Sequence, residues 1–245
     1  MSEISKAMNR SNREQGRGDI AVEPGRVVSP VLTSRINHGD CEQYLSLASE
    51  VALALPGVSC RAVLFSSAVT GEGVSTVSRE FAATVAERGD VPTILIDANL
   101  RSPSVHDVFR LRRDPGLTDH IVGGVPLSDC ICETSVPRLK VMTSGRPVIA
   151  PPRVTGDERT AAMISELRGS YRFIVIDAPP ILSFSEGVQL SGVSDGVVMV
   201  VRSGHTRRQL HAHALDLLEG ASANILGTVL NRRRFYIPRF VYDRM

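Results

Sequence analysis

Six short apolar runs alternate along the chain with segments of helical period. The runs are Ala62-Val-Leu-Phe65, Thr93-Ile-Leu-Ile-Asp97, Leu139-Lys-Val-Met142, Phe173-Ile-Val-Ile-Asp177, Gly196-Val-Val-Met-Val-Val201 and Ile225-Leu-Gly-Thr-Val-Leu230. Nearly continuous apolar runs of this length are expected of strands buried on both faces. Between them the period changes. Tyr44, Leu47, Val51 and Leu55 fall near one face of a helix over 40–55, with Asp40 as its N-cap and Pro56-Gly57 as its stop. Val77, Phe81 and Val85, with Ala82 and Ala86 beside them, mark a second helix closed by Gly89. Leu117 to Ile121 reads as a short helix, 159–168 as a helix closed by Gly169, and 209–219 as a helix with Leu210, Ala214, Leu217 and Leu218 on one side. The stretch from Pro147 to Gly156, with three prolines, reads as a loop. Strands alternating with helices predict an α/β fold with a doubly wound, mostly parallel sheet.

The pattern fades at both ends. Residues 1–39 are rich in Ser, Asn, Gly, Arg and Glu without sustained periodicity, and are expected to form a disordered tail. One domain over 40–231 follows, then a short tail over 232–245 that interleaves five arginines with Phe235, Tyr236, Phe240 and Tyr242. With 245 residues and 42% hydrophobic content the chain can bury a sizeable core, and with only 4% aromatics that core must be aliphatic. A net charge of +2 argues neither for nor against nucleic acid. The four cysteines, Cys41, Cys60, Cys130 and Cys132, have no metal-ligand spacing and read as reduced thiols. No apolar run approaches the roughly 20 residues of a membrane span, and no signal peptide is visible.

The chemistry is concentrated after the first run. Phe65-Ser-Ser-Ala-Val-Thr-Gly-Glu-Gly-Val-Ser-Thr76 is a small, polar loop between a strand and a helix. That geometry turns free backbone N–H groups and the positive helix end toward an anion. Laid on the phosphate-binding pattern G-x-x-x-x-G-K-[ST], Ala68 takes the first glycine, Gly73 the second, Val74 the lysine and Ser75 the hydroxyl. Gly71, Glu72, Gly73, Ser75 and Thr76 are therefore the candidate phosphate cradle, with a strand-to-helix turn kept for folding as the plainer alternative. The lysine is absent, and with it a charge-assisted hydrogen bond worth about 1.5–3 kcal/mol. Asp97 and Asp177 each end a strand, where ligands of open α/β sheets bind. Carboxylates there also cap following helices.

Taken together, these stretches resemble the cytoplasmic domain of the bacterial tyrosine kinases of capsule and exopolysaccharide assembly, which are P-loop ATPases of the deviant-Walker class. The resemblance runs from about residue 42 to 231. It rests on the loop just quoted, on Ile96-Asp-Ala-Asn-Leu-Arg-Ser-Pro-Ser-Val-His106 continuing to Phe109, and on Ile174-Val-Ile-Asp-Ala-Pro-Pro180. It implies ATP with Mg²⁺ as ligands, Ser75, Asp97 and Asp177 as metal ligands, and Asp97 and Asp177 as the catalytic carboxylates. It also implies Tyr236 and Tyr242 as phosphoacceptors. The departures are consistent in direction: Val74 for lysine, Asn99 for the second aspartate of the second motif, Leu45 and Ala48 for two arginines that join subunits, Glu186-Gly187 for an Asp-Ala pair, and few tyrosines at the end.

The expected function is that of a weakened or inactive family member in exopolysaccharide biosynthesis and export. It would work in the cytoplasm, peripherally at the inner membrane, on a membrane-bound co-polymerase of the chain-length-regulator type, and would bind ATP and Mg²⁺ or no cofactor at all. One rival is an active autokinase that phosphorylates Tyr236 or Tyr242, which requires an arginine to replace the lysine. Another is a positioning ATPase like the cell-division relatives.

Overall fold

The computed structural model describes residues 33–36 and 41–232. The expected N-cap Asp40 and the phosphoacceptor candidates Tyr236 and Tyr242 lie outside the described residues. In chain order the elements are β1 (Thr33–Ile36), α1 (Cys41–Ala54), β2 (Arg61–Ser67), α2 (Val74–Arg88), β3 (Thr93–Asp97), α3 (Val105–Phe109) and α4 (Leu117–Ile121). A 3₁₀ turn (Leu127–Cys130), β4 (Ile131–Glu133), β5 (Leu139–Met142), α5 (Pro151–Thr155), α6 (Glu158–Leu167) and β6 (Phe173–Asp177) come next. The chain continues with α7 (Glu186–Ser191), β7 (Gly196–Arg202), α8 (Arg208–Gly220) and β8 (Ile225–Asn231).

The strands form one sheet in the order β1-β8-β7-β2-β6-β3-β5-β4. Every pairing is parallel except β4 with β5. The six expected runs are its interior. The two further strands are short and sit at its two edges, as edge strands commonly do. β1 lies within the stretch expected to be a tail: its four residues pair with Thr228 to Asn231, and a segment that short carries no period of its own. α5 is also a correction, because Pro147 to Gly156 was expected to be a loop. Pro151 and Pro152 open the helix, where a missing N–H costs nothing.

Because the strands are covered on both faces, alternate residues feed two cores. Val63, Phe65, Leu95, Val175, Val198 and Val200 pack against Tyr44, Leu47 and Val51 of α1 and Val77, Phe81 and Val85 of α2. Ala62, Leu64, Ile94, Ile96, Ile174, Ile176 and Met199 pack on the other side, against Met163, Ile164 and Leu167 of α6 and Ala214 and Leu218 of α8. Phe81 anchors the first core, with ring centroids 5.1 Å from Phe65 and 5.8 Å from Phe173. The scarcity of aromatics is thus met by concentrating three of them at one point, over β2 and β6.

The sheet order fixes the site. β2 and β3 lie on either side of β6, so α2 must cross over β6 to join them. The register aligns Phe65 with Asp177 and Asp97 with Asp177. The loop after β2 and the two strand-end aspartates therefore open at one edge, at the carboxyl ends of three adjacent strands.

Candidate functional site

The loop from Ser66 to Gly73 turns on two glycines in the left-handed region, Gly71 (φ 82°) and Gly73 (φ 92°). Gly73 is the residue that starts α2, accepting from the N–H groups of Thr76 and Val77. The N–H groups of Val74 and Ser75, in the first turn of a 15-residue helix, have no acceptor within it. Gly71 is exposed, and Gly73, Ser75 and Thr76 are half-buried at the mouth. The loop therefore has the strand–glycine–helix geometry in which free N–H groups face outward at its mouth.

Two of its side chains face away from the mouth. Val74, at the lysine position, is 8% exposed and packs into the core beneath α1 and α2. Glu72 is fully buried. One of its carboxylate oxygens accepts from the N–H groups of Ala68 (3.0 Å) and Val69 (3.3 Å). The other accepts from the hydroxyl of Thr206, in the turn after β7. Glu72 thus joins the cradle through its backbone only, while its carboxylate braces the loop from inside. Asn231, at the end of β8, closes the brace by donating its side-chain amide to the Glu72 carbonyl at 2.9 Å. A methyl group placed on Gly73 would stand 2.3 Å from that amide, so only glycine fits there.

Asp97 and Asp177 are register partners at the ends of neighbouring strands and are fully buried. One oxygen of Asp97 accepts from the N–H groups of Ser104 (3.1 Å) and Val105 (3.0 Å), so it caps the start of α3. Its other oxygen and both oxygens of Asp177 complete no hydrogen bond of full geometry among the described residues, although the Ser75 and Ser78 hydroxyls stand close enough to Asp177 to favour its charged form. Burial pushes the Asp97 carboxyl up to about 6, against the pull of its backbone N–H partners. Burial, then repulsion from Asp97, pushes Asp177 up to about 8. The hydroxyls of Ser75 and Ser78 and the charge of Arg79 pull the other way. Three under-satisfied carboxylate oxygens side by side fit a hard divalent cation, which would restore both charges. Mg²⁺ characteristically takes one or two carboxylates and fills its remaining positions with water and phosphate. Asp97, Asp177 and the Ser75 hydroxyl are the residues that would hold it here.

Asn99 is half-buried and turned to its own loop, accepting from the N–H of Ser102 at 3.3 Å. Arg101 is held across the mouth, 2.8 Å from Glu186 and with its guanidinium 4.4 Å from the centre of the Phe184 ring. Gly187 follows because a methyl group there would meet Ile181 at 2.7 Å and the Pro179 carbonyl at 3.0 Å. The sequence pattern missed Thr206, Asn231 and Arg232. A strand ending at Asn231, at the same sheet edge as the loop, was the available signal.

A glycine loop braced on a parallel sheet, facing two strand-end carboxylates, defines a P-loop nucleoside-triphosphatase fold of the deviant-Walker type. No family model matches the chain. Tyrosine-protein kinase CpsD from Streptococcus agalactiae is 32% identical over 195 residues, spanning 78% of this chain and 83% of its own length. Tyrosine-protein kinase YwqD from Bacillus subtilis is 30% identical over 193 residues, spanning 79% and 81%. The solved chimerical protein CapA2B2 superposes with a TM-score of 0.75 at 27% identity, over 79% of this chain and 85% of its own. The chain belongs to the family of bacterial tyrosine-protein kinases of capsule and exopolysaccharide biosynthesis.

Proposed function

We propose that this chain is a nucleotide-binding regulator of exopolysaccharide biosynthesis and export. It holds Mg·ATP weakly and transfers its phosphoryl group slowly or not at all. The observation that carries this reading is the contrast within one site. A glycine loop of phosphate-binding shape faces the buried Asp97–Asp177 pair, while the lysine position is filled by a valine packed in the core. When bound, Mg²⁺ neutralises phosphate charge. Asp97 and Asp177 would hold and orient it, the Gly71–Thr76 amides would face the phosphates, and Asn99 supplies no second charge. The partner in this reading is a membrane-bound co-polymerase of the chain-length-regulator type, and the protein works in the cytoplasm at the inner membrane. Among the described residues no helix is long and apolar enough to cross a membrane, so contact with it would come through the partner or the basic aromatic segment 233–245.

The second reading is an active autokinase acting on Tyr236 or Tyr242. The names of the relatives support it, and so does the intact carboxylate pair.

Two experiments test these readings. Val74→Lys, whose apolar stem can follow the valine's path while its ammonium reaches back to the mouth, is expected to tighten Mg·ATP binding by about tenfold or more, the lower end of a charge-assisted hydrogen bond. Calorimetric titration with phosphotyrosine detection on the same sample reads both outcomes. Phosphotyrosine on the unaltered protein favours the autokinase, and no gain from the new lysine sinks the preserved cradle. Separately, deleting 233–245 is expected to shift the protein from the membrane fraction to the soluble fraction. An unchanged distribution rejects that segment as a contact.

A further inference from the structure

The loss of the lysine leaves the question of what cation faces the phosphates, and among the arginines near the mouth Arg232 is the one whose guanidinium is placed against the loop itself. Arg101 is already engaged with Glu186 and Phe184. Arg79 lies on α2 with its guanidinium on Glu80 at 3.4 Å. Arg232 differs from both. It follows directly on β8, is exposed, and forms no ion pair among the described residues. Its Nε would lie 4.0 Å from a methyl group placed on Gly73, one residue from the vacated lysine position.

Its backbone is held in place. Arg232 takes a left-handed backbone (φ 55°), uncommon for a side chain that gains nothing by it. Its N–H donates to the Asn231 side-chain oxygen at 2.8 Å. The amide of that same side chain holds the Glu72 carbonyl. One asparagine therefore clamps the loop with one end and holds the backbone of the arginine with the other. The under-satisfied oxygens of Asp177 and Asp97 at the same sheet edge mark an independent demand for a cation-bearing ligand.

We propose that Arg232 supplies in cis the phosphate-binding cation that Val74 lacks, so that the site takes the polyphosphate of a nucleoside triphosphate through a guanidinium carried by the end of β8. This rests on the nucleotide-binding reading above. A planar guanidinium presents a two-pronged donor set to phosphate oxygens, whereas an ammonium acts as a point charge. A site built this way binds phosphate with the geometry of arginine and loses the lysine's position over the loop.

The test titrates Arg232→Ala, Arg232→Lys and Val74→Lys/Arg232→Ala with three probes: Mg·ATP, inorganic tripolyphosphate and adenosine. Arg232→Ala is expected to weaken Mg·ATP and tripolyphosphate alike by about tenfold or more, with Arg232→Lys retaining part of the affinity. In the Val74→Lys background the same alanine is expected to cost less, because two cations serving one phosphate are not additive. Arg232 is exposed, and a thermal melt of each variant checks that it folds. Tight binding by the unaltered protein that Arg232→Ala leaves unchanged overturns the proposal and leaves the nucleotide reading standing. A loss seen with Mg·ATP or adenosine but not with tripolyphosphate makes Arg232 a contact to the nucleoside, and also overturns it. No binding of Mg·ATP or tripolyphosphate by the unaltered protein removes both readings at once.

Discussion

Asp177→Asn is expected to stabilise the ligand-free protein at neutral pH and to abolish its stabilisation by Mg²⁺. Asp177 is fully buried beside Asp97, with both oxygens under-satisfied and its carboxyl pushed up to about 8. In an unfolded chain the same group titrates near 3.9. Across the window between those values the unfolded chain gives up a proton that the folded protein keeps. The folded state binds more protons, so its stability falls as pH rises from about 4 to 8 and is flat beyond. Asparagine does not titrate and relieves the repulsion on Asp97. The variant's advantage should therefore grow through that window to about 1–3 kcal/mol, the scale of an unsatisfied buried polar group. Mg²⁺ should reverse the ranking, because a cation that binds only the folded state stabilises it by mass action. Thermal melts from pH 5 to 9, with and without Mg²⁺, read both effects. A variant less stable than the parent at pH 8 without Mg²⁺ would show that the pair is satisfied by something other than a cation.

Gly73→Ala is expected to cost about 2–4 kcal/mol, from left-handed strain and a lost hydrogen bond together. The new methyl group would stand 2.3 Å from the Asn231 amide. The asparagine must swing away, releasing the Glu72 carbonyl and the N–H of Arg232 that it holds. The damage should thus reach nucleotide binding as well as stability. Asn231→Ala in the same background removes the clash while leaving the backbone strain, so the two substitutions together should cost less than their sum. Denaturant midpoints for the two single variants and the double variant measure this. Additive costs would mean that Gly73 and Asn231 do not share one packing arrangement.

The interior of the sheet was legible in the sequence because its strands are covered on both faces, and burial leaves a run of apolar residues that nothing else in a chain this size requires. The edges were not. β1 and β4 have four and three residues, and a strand that short owes its existence to its neighbour's hydrogen bonds rather than to its own pattern. The stretch around Pro151-Pro152 reads as a loop because proline ends helices far more visibly than it begins them. The site was legible as positions: Asp97 and Asp177 stand where a strand end puts them. The directions of side chains were not. Glu72 lies between two glycines in a phosphate loop, yet its carboxylate turns inward to amides that the loop itself leaves free. Arg232 looked like the first residue of a basic tail, because its neighbour across the mouth, Gly73, is 159 residues away.

That separation also orders events in time. Among the described residues β2 pairs with β6 and β7 and with nothing earlier, so the strand that carries the loop waits for partners made more than 100 residues after it. The two aspartates meet only once Asp177 has been synthesised, and the brace on Glu72 needs Asn231. A ribosome-bound chain that has released most of its length therefore has the loop's sequence without the neighbouring strands and the asparagine that hold it in place. During that interval the apolar runs at β2 and β3 are the exposed surfaces that a chaperone would meet.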